Sequence, residues 1–126
     1  MIRYVLDTGC LIAMERRRAR AMRFVDLIAR GAARALVPLP VISEWWRSRT
    51  DARESILAAV EIVASVEIAK AAGVALASSK GVAASHTIDA IVMATAALRD
   101  GTVVTGDPED FARLATHFPG VAVLAV

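Results

Sequence analysis

A single cysteine, Cys10, leaves this chain without a partner for an intramolecular disulfide, which excludes the small secreted domains held together by crosslinks. A reducing cytosol is the compartment this fits, and Cys10 reads as a packed core thiol. Histidines are equally scarce: His86 and His117 stand apart, and neither has a second histidine or cysteine at zinc spacing. No apolar run reaches the ~18 residues of a membrane span, because Glu61, Glu67, Lys70, Asp89 and Arg99 break the aliphatic stretches. Asp7 interrupts the first apolar stretch after Tyr4-Val5-Leu6, so no signal peptide is expected. Linkers, internal repeats and low-complexity tracts are lacking too.

What is present is a core. Hydrophobic residues make up 56% of the 126 positions and mean hydropathy is +0.52, which fits one globular domain spanning 1–126. A chain of this length buries about two thirds of its unfolded surface. The net charge of +2 is unevenly placed. Arg16, Arg17, Arg18, Arg20, Arg23, Arg30 and Arg34 face only Glu15 and Asp26 in the stretch 15–34. Arginine forks suit phosphate oxygens, so this is a candidate polyanion footprint. Its structural alternative is a solvated helix face opposite the stripe of Phe24, Leu27 and Ile28.

Strand and helix patterns alternate. Strands are expected at 2–6, 35–37, 60–64, 102–105 and 121–124, where apolar and β-branched residues cluster between turn signals. Helices are expected from 9 to 17, from 19 to 30 with a stop at Gly31, and from Pro40 to about Thr50. Further helices are expected over 51–59, 66–79 and 87–98, with a loop at 78–81 and a last helix opened by Asp107-Pro108-Glu109-Asp110. Five strands separated by helices predict an α/β fold, a parallel sheet covered on both faces.

Asp7, Asp89 and Asp107 stand where these segments change over, and Glu44 lies between them in Pro40-Val41-Ile42-Ser43-Glu44. Strand ends form the edge of an α/β sheet where ligands bind, so a carboxylate cluster there points to a divalent metal and phosphate chemistry. Singly, each acid has a structural explanation. Asp107 and Asp7 suit helix N-caps, Asp89 complements a helix N-terminus, and Glu44 suits solvated surface. Jointly the explanations fail, because converging carboxylates ~4 Å apart repel by about 4 kcal/mol per pair at an effective dielectric near 20. Asp89 leads the apolar Ala90-Ile91-Val92-Met93-Ala94, which draws it inward, and Trp45-Trp46 make full exposure of Glu44 unexpected.

The segments Val5-Leu6-Asp7-Thr8-Gly9-Cys10, Ile42-Ser43-Glu44, Thr87-Ile88-Asp89-Ala90-Ile91-Val92-Met93-Ala94 and Val104-Thr105-Gly106-Asp107-Pro108-Glu109-Asp110-Phe111 resemble the four acidic motifs of PIN-domain ribonucleases. In length and layout the whole chain resembles the VapC toxins of bacterial type II toxin–antitoxin pairs. The resemblance implies a three-layer α/β/α sandwich with sheet order 3-2-1-4-5. It assigns Asp7, Glu44, Asp89 and Asp107 to the catalytic metal site, with Thr105 and Thr8 supporting them from behind and Asp110 read as a capping acid. It implies a Mg²⁺- or Mn²⁺-dependent endoribonuclease that cuts tRNA or rRNA and inhibits translation. Its partners would be a VapB-like antitoxin and a second copy of the chain, with a higher assembly alongside the antitoxin, while Arg16, Arg17, Arg18 and Arg20 could bind RNA. Oxygen-only ligands agree with that choice of ion.

Three other readings compete. A metal-free nuclease using His86 and His117 is disfavoured, since His117 suits a helix C-terminus. A phosphoryl-receiver domain needs paired acids after the first strand and an aspartate after the third, where the chain has only Asp7 and Ala64-Ser65. A PIN-like module that binds RNA or protein without cleaving is the strongest rival, and the presence of all four acids argues against it. Adjacent helix residues such as Trp45 and Trp46 do not face one core, so one is expected to be partly exposed, in a dimer contact or a groove for an antitoxin segment, with a large core pair at the edge of the sheet as the alternative.

Overall fold

The run Ile2–Leu6 is apolar throughout its second half, and it forms the central strand, β1, of a five-stranded sheet in which Val5 and Leu6 are fully buried. The computed structural model describes residues 1–79 and 86–126. β2 (Ala33–Pro38) and β4 (Thr102–Thr105) flank β1, and β3 (Glu61–Val63) and β5 (Val123–Ala125) form the edges. Every pairing is parallel and the order is 3-2-1-4-5. The consecutive buried residues Tyr4 to Leu6 in β1, Ala35 to Val37 in β2 and Val103 to Thr105 in β4 show the lack of alternation that burial on both faces demands.

The helices fall into two groups. α1 (Thr8–Glu15) packs with α2 (Ala19–Ala29), α3 (Leu39–Trp45) and α4 (Asp51–Ala59), while α5 (Val66–Ser78) packs with α6 (Thr87–Arg99). The sheet grows from β1 towards β3 and then returns across to β4. Right-handed crossovers therefore put the first group on one face and the second on the other, giving the expected three layers. Tyr4 stacks edge-on against Phe24 of α2, with ring centroids 4.9 Å apart. The same helix ends at Gly31, whose φ of 71° is the left-handed conformation that turns the chain into β2.

Some expectations need correction. α3 ends at Trp45 instead of reaching Thr50: Ser48 and Thr50 favour turns and caps over helix interiors. The Thr50 hydroxyl instead accepts the Arg53 amide and caps α4. The helix expected after Asp107 is two short 3₁₀ turns, Pro108–Phe111 and Leu114–His117. The last strand begins two residues later than expected, at Val123, because residues 121 and 122 follow the turn at Pro119-Gly120. Of the loop expected at 78–81, residues 80 and 81 lie outside the described residues, as does Ser85. Among the described residues no helix is long and apolar enough to cross a membrane.

Candidate active site

β1 and β4 lie side by side at the point where the chain switches direction across the sheet, and each carries an aspartate just past its end. Asp7 is 8% exposed. Its Oδ1 accepts the Cys10 amide at 2.8 Å, which caps α1, and its Oδ2 accepts the Thr105 hydroxyl from the neighbouring strand. The Thr105 oxygen in turn accepts the Asp107 amide at 2.9 Å. The two strand exits touch through their backbones: a Cβ added at Gly9 would lie 3.2 Å from the Gly106 nitrogen. Only glycine allows that approach without a local shift.

The other acids come from helices. Glu44 projects from α3 and its Oε1 accepts the Thr8 hydroxyl at 2.7 Å. Asp89 sits in the first turn of α6, half-buried. Asp7, Glu44, Asp89, Asp107 and Asp110 share one cavity of about 300 Å³ with Thr8, Gly9, Ile12 and Ile88, and among the described residues no lysine or arginine lines it. Burial is the main cause of the raised Asp7 pKa; the Thr105 and Cys10 hydrogen bonds oppose it, and Asp107 and Glu44 reinforce it. Asp89 is pushed up to about 6, by burial first and then by Asp110, while His86 at the head of its helix pulls the other way. Both shifts have the sign expected of buried carboxylates beside like charges.

Among the described residues, no three carboxylate, imidazole or thiol groups close tightly around one point to form an all-protein cage. Magnesium and manganese do not need one, since such ions keep several waters and take one or two carboxylates. Among the described residues the cavity offers oxygen donors only, with room for a partly hydrated ion, so the residues fit the group.

The four sequence-predicted acids therefore converge on one cavity, with differences in detail. Asp107 makes no side-chain cap bond, because its φ of −132° and ψ of 73° lead into a 3₁₀ turn. Asp7 is the acid that caps. Glu44 is exposed: Trp45 turns into the core and leaves its neighbour at the surface. Asp110, read from sequence as a cap, lines the cavity instead. Its spacing of three from Asp107 was the available signal, since residues three apart share one side of a 3₁₀ turn.

Arg16, Arg17, Arg18 and Arg20 are exposed and do not line the cavity. They lie past the far end of α1, which is roughly 12 Å long at 1.5 Å per residue. His117 lines a separate cavity with Asp100 and Phe118. Cys10 is buried and its thiol is pushed well up by burial, so it is not a nucleophile at neutral pH. An apolar groove of about 330 Å³ between α2 and α4 is comparable in size but has Glu15 as its only acid. Cavity size therefore does not single out the site; chemistry does.

The sequence pattern of the PIN-domain family matches residues 4–116. No curated protein matches the chain in sequence. The fold is similar to that of VapBC2 from Rickettsia felis bound to a DNA fragment from its promoter, at 17% identity and TM-score 0.75 over 99% of either chain. DNA-bound VapBC from Salmonella typhimurium is also similar, at 18% identity and TM-score 0.72 over 99% of this chain and 98% of that one. PAE2754 from Pyrobaculum aerophilum follows at 17% identity and TM-score 0.57, over 98% and 91%. At such identities the likeness speaks for the fold alone.

Proposed function

The chain belongs to the PIN-domain family, whose members are generally divalent-metal-dependent nucleases, and from that premise we propose that it is a Mg²⁺- or Mn²⁺-dependent endoribonuclease. It acts as a single domain over residues 1–126 in the cytoplasm. It is the toxin of a type II pair, cutting tRNA or rRNA and inhibiting translation. The observation that carries the reading is the cavity lined by five carboxylates, Asp7, Glu44, Asp89, Asp107 and Asp110, with no lysine or arginine among the described residues that line it. Charge of one sign at that density is stable only with a cation or shared protons.

Asp7, Glu44, Asp89 and Asp107 would hold the ion, and Thr8 and Thr105 fix the orientation of Glu44 and Asp7 through the hydrogen bonds described. A bound divalent ion supplies Lewis acidity to the phosphoryl group and offsets the clustered charge. One of these carboxylates would orient the attacking water or take its proton on a carboxylate oxygen. Attack at phosphorus breaks the bond to O3′, leaving a 5′-phosphate and a 3′-hydroxyl that takes its proton from solvent. Arg16, Arg17, Arg18 and Arg20 would hold phosphates of the same RNA beyond the scissile nucleotide.

The similarity to the two VapBC complexes supports a VapB-like antitoxin as partner; a toxin homodimer within that assembly is part of the same proposal. The decisive experiment is RNA cleavage by the purified protein with and without Mg²⁺ or Mn²⁺, beside Asp7→Asn and Asp89→Asn. Metal-dependent cleavage lost in both variants supports the reading. Cleavage in excess chelator, or full activity in both variants, overturns it. Retained RNA binding without cleavage of any RNA offered would favour the non-cleaving module.

A further inference from the structure

α3 is seven residues long, and neither end has a side-chain cap: Pro38 before it makes no cap bond, and at its far end only the Trp46 backbone amide bonds back, to Ile42 at 2.8 Å. A helix this short has little stability of its own, so its orientation rests on tertiary ties. Two side-chain ties are present, both to α1. At one, the Thr8 hydroxyl binds Glu44. At the other, the indole N–H of Trp45, a residue 2% exposed, donates to Glu15 Oε1 at the last turn of α1. The same Glu15 oxygen accepts Arg53 Nε at 3.0 Å, and Arg53 reaches on to the Ser48 carbonyl at 2.8 Å.

We propose that Glu15 is a positioning residue for the site: through the Trp45 indole it sets the rotation of α3 about its axis and so aims Glu44 at the cavity. Successive residues of a helix point about 100° apart, so locking the Trp45 direction locks that of Glu44. A buried indole N–H must be paired, which makes the lock directional. The Arg53 bond gives the same Glu15 oxygen a second partner and binds the loop that follows α3. Arg53 therefore supports the anchor, while Glu15 makes the tie. The proposal rests on the metal-nuclease reading for its consequence but not for its geometry.

The test is the ¹³C carboxyl NMR signal of Glu44 in metal-free protein, read alongside Mn²⁺ affinity and melting temperature. Glu15→Met is expected to move the Glu44 signal and weaken Mn²⁺ binding about tenfold, the usual scale for losing support behind a ligand. Glu15→Gln keeps the acceptor oxygen and should restore both. Arg53→Met should lower the melting temperature while leaving the Glu44 signal near that of the wild type. An unmoved Glu44 signal in Glu15→Met, or an equal movement in Arg53→Met, overturns the proposal. If Glu15→Met does not fold, amide exchange of α3 in Trp45→Phe decides: faster exchange supports the tie and unchanged exchange overturns it. Absence of Mn²⁺ binding by the wild type would sink the metal-nuclease reading instead, with the Glu44 signal still judging the tie.

Discussion

The two ends of one sheet treat the same side chains in opposite ways. Where β1 and β4 finish, Asp7, Glu44, Asp89, Asp107 and Asp110 surround a cavity that no lysine or arginine lines among the described residues. Where β1, β2 and β3 begin, a larger cavity of about 540 Å³ sets Arg3, Arg34 and Arg99 beside Glu61 and Asp100. There Arg34 grips Glu61 with two nitrogens, Nε at 2.7 Å, and Arg3 donates to the Arg99 carbonyl at 3.2 Å. The Arg34 hydrogen bond holds the Glu61 carboxyl below its usual range, whereas burial holds Asp7 and Asp89 above theirs. One end sets arginines beside its acids. The other keeps a mismatch that works against the metal-free fold, as sites built for a ligand commonly do.

The largest expected break in this contrast is in activity. Asp7→Asn or Asp89→Asn should lower metal-dependent RNA cleavage by about a hundredfold or more, while Glu61→Gln leaves it unchanged. In the same proteins, denaturant unfolding without metal should find Asp89→Asn at least as stable as the wild type, since it removes a disfavoured charge.

Next in size is Thr105→Val, which keeps the shape but removes the hydroxyl shared by Asp7 and the Asp107 amide. Urea unfolding should show a loss of about 1–3 kcal/mol, the usual consequence of stranding buried polar groups.

Smaller still, and opposite in sign at the two ends, is the response to pH. Folded Asp89 holds its proton up to about 6 against an ordinary 3.8, so without metal its contribution makes stability fall as pH rises through that window. Because protons compete with the ion, Mn²⁺ affinity by titration calorimetry should rise over the same window. Glu61 works the other way: its stabilisation is present above its ordinary 4.5 and is lost as pH falls through the lowered value. The Arg34–Glu61 pair is exposed, so Arg34→Met should change the melting temperature least of the series, and less at high salt.

Much of this was legible because strand ends in a parallel sheet are sharp in sequence: aliphatic runs stop and an acid follows. Asp7 and Asp107 could be placed from that alone, and the resemblance supplied the strand order that makes them neighbours; Asp89, expected where a strand gives way to a helix, instead sits in the first turn of α6, with α5 as the preceding described element. Less legible was whatever depends on rotation. Whether Glu44 or Trp45 faces inward turns on one helical step, and the Glu15 acceptor that decides it lies thirty residues from Trp45. The conformation after Asp107 was hidden for a similar reason. Thr105 takes the Asp107 amide by a contact two residues long, which leaves the aspartate free of capping, and Asp110 follows it round the 3₁₀ turn.

Thr105 also has an evolutionary consequence. Its hydroxyl proton is committed to Asp7 and its oxygen to the Asp107 amide, at a position that is fully buried within a strand. Serine can make both bonds but lacks the branched methyl that suits a β-strand; valine packs equally well and makes neither. Across natural relatives that keep the acids, the alphabet at this position should therefore shrink to threonine with serine as the minority letter, and lineages that have lost the acids should be the ones in which it drifts to valine.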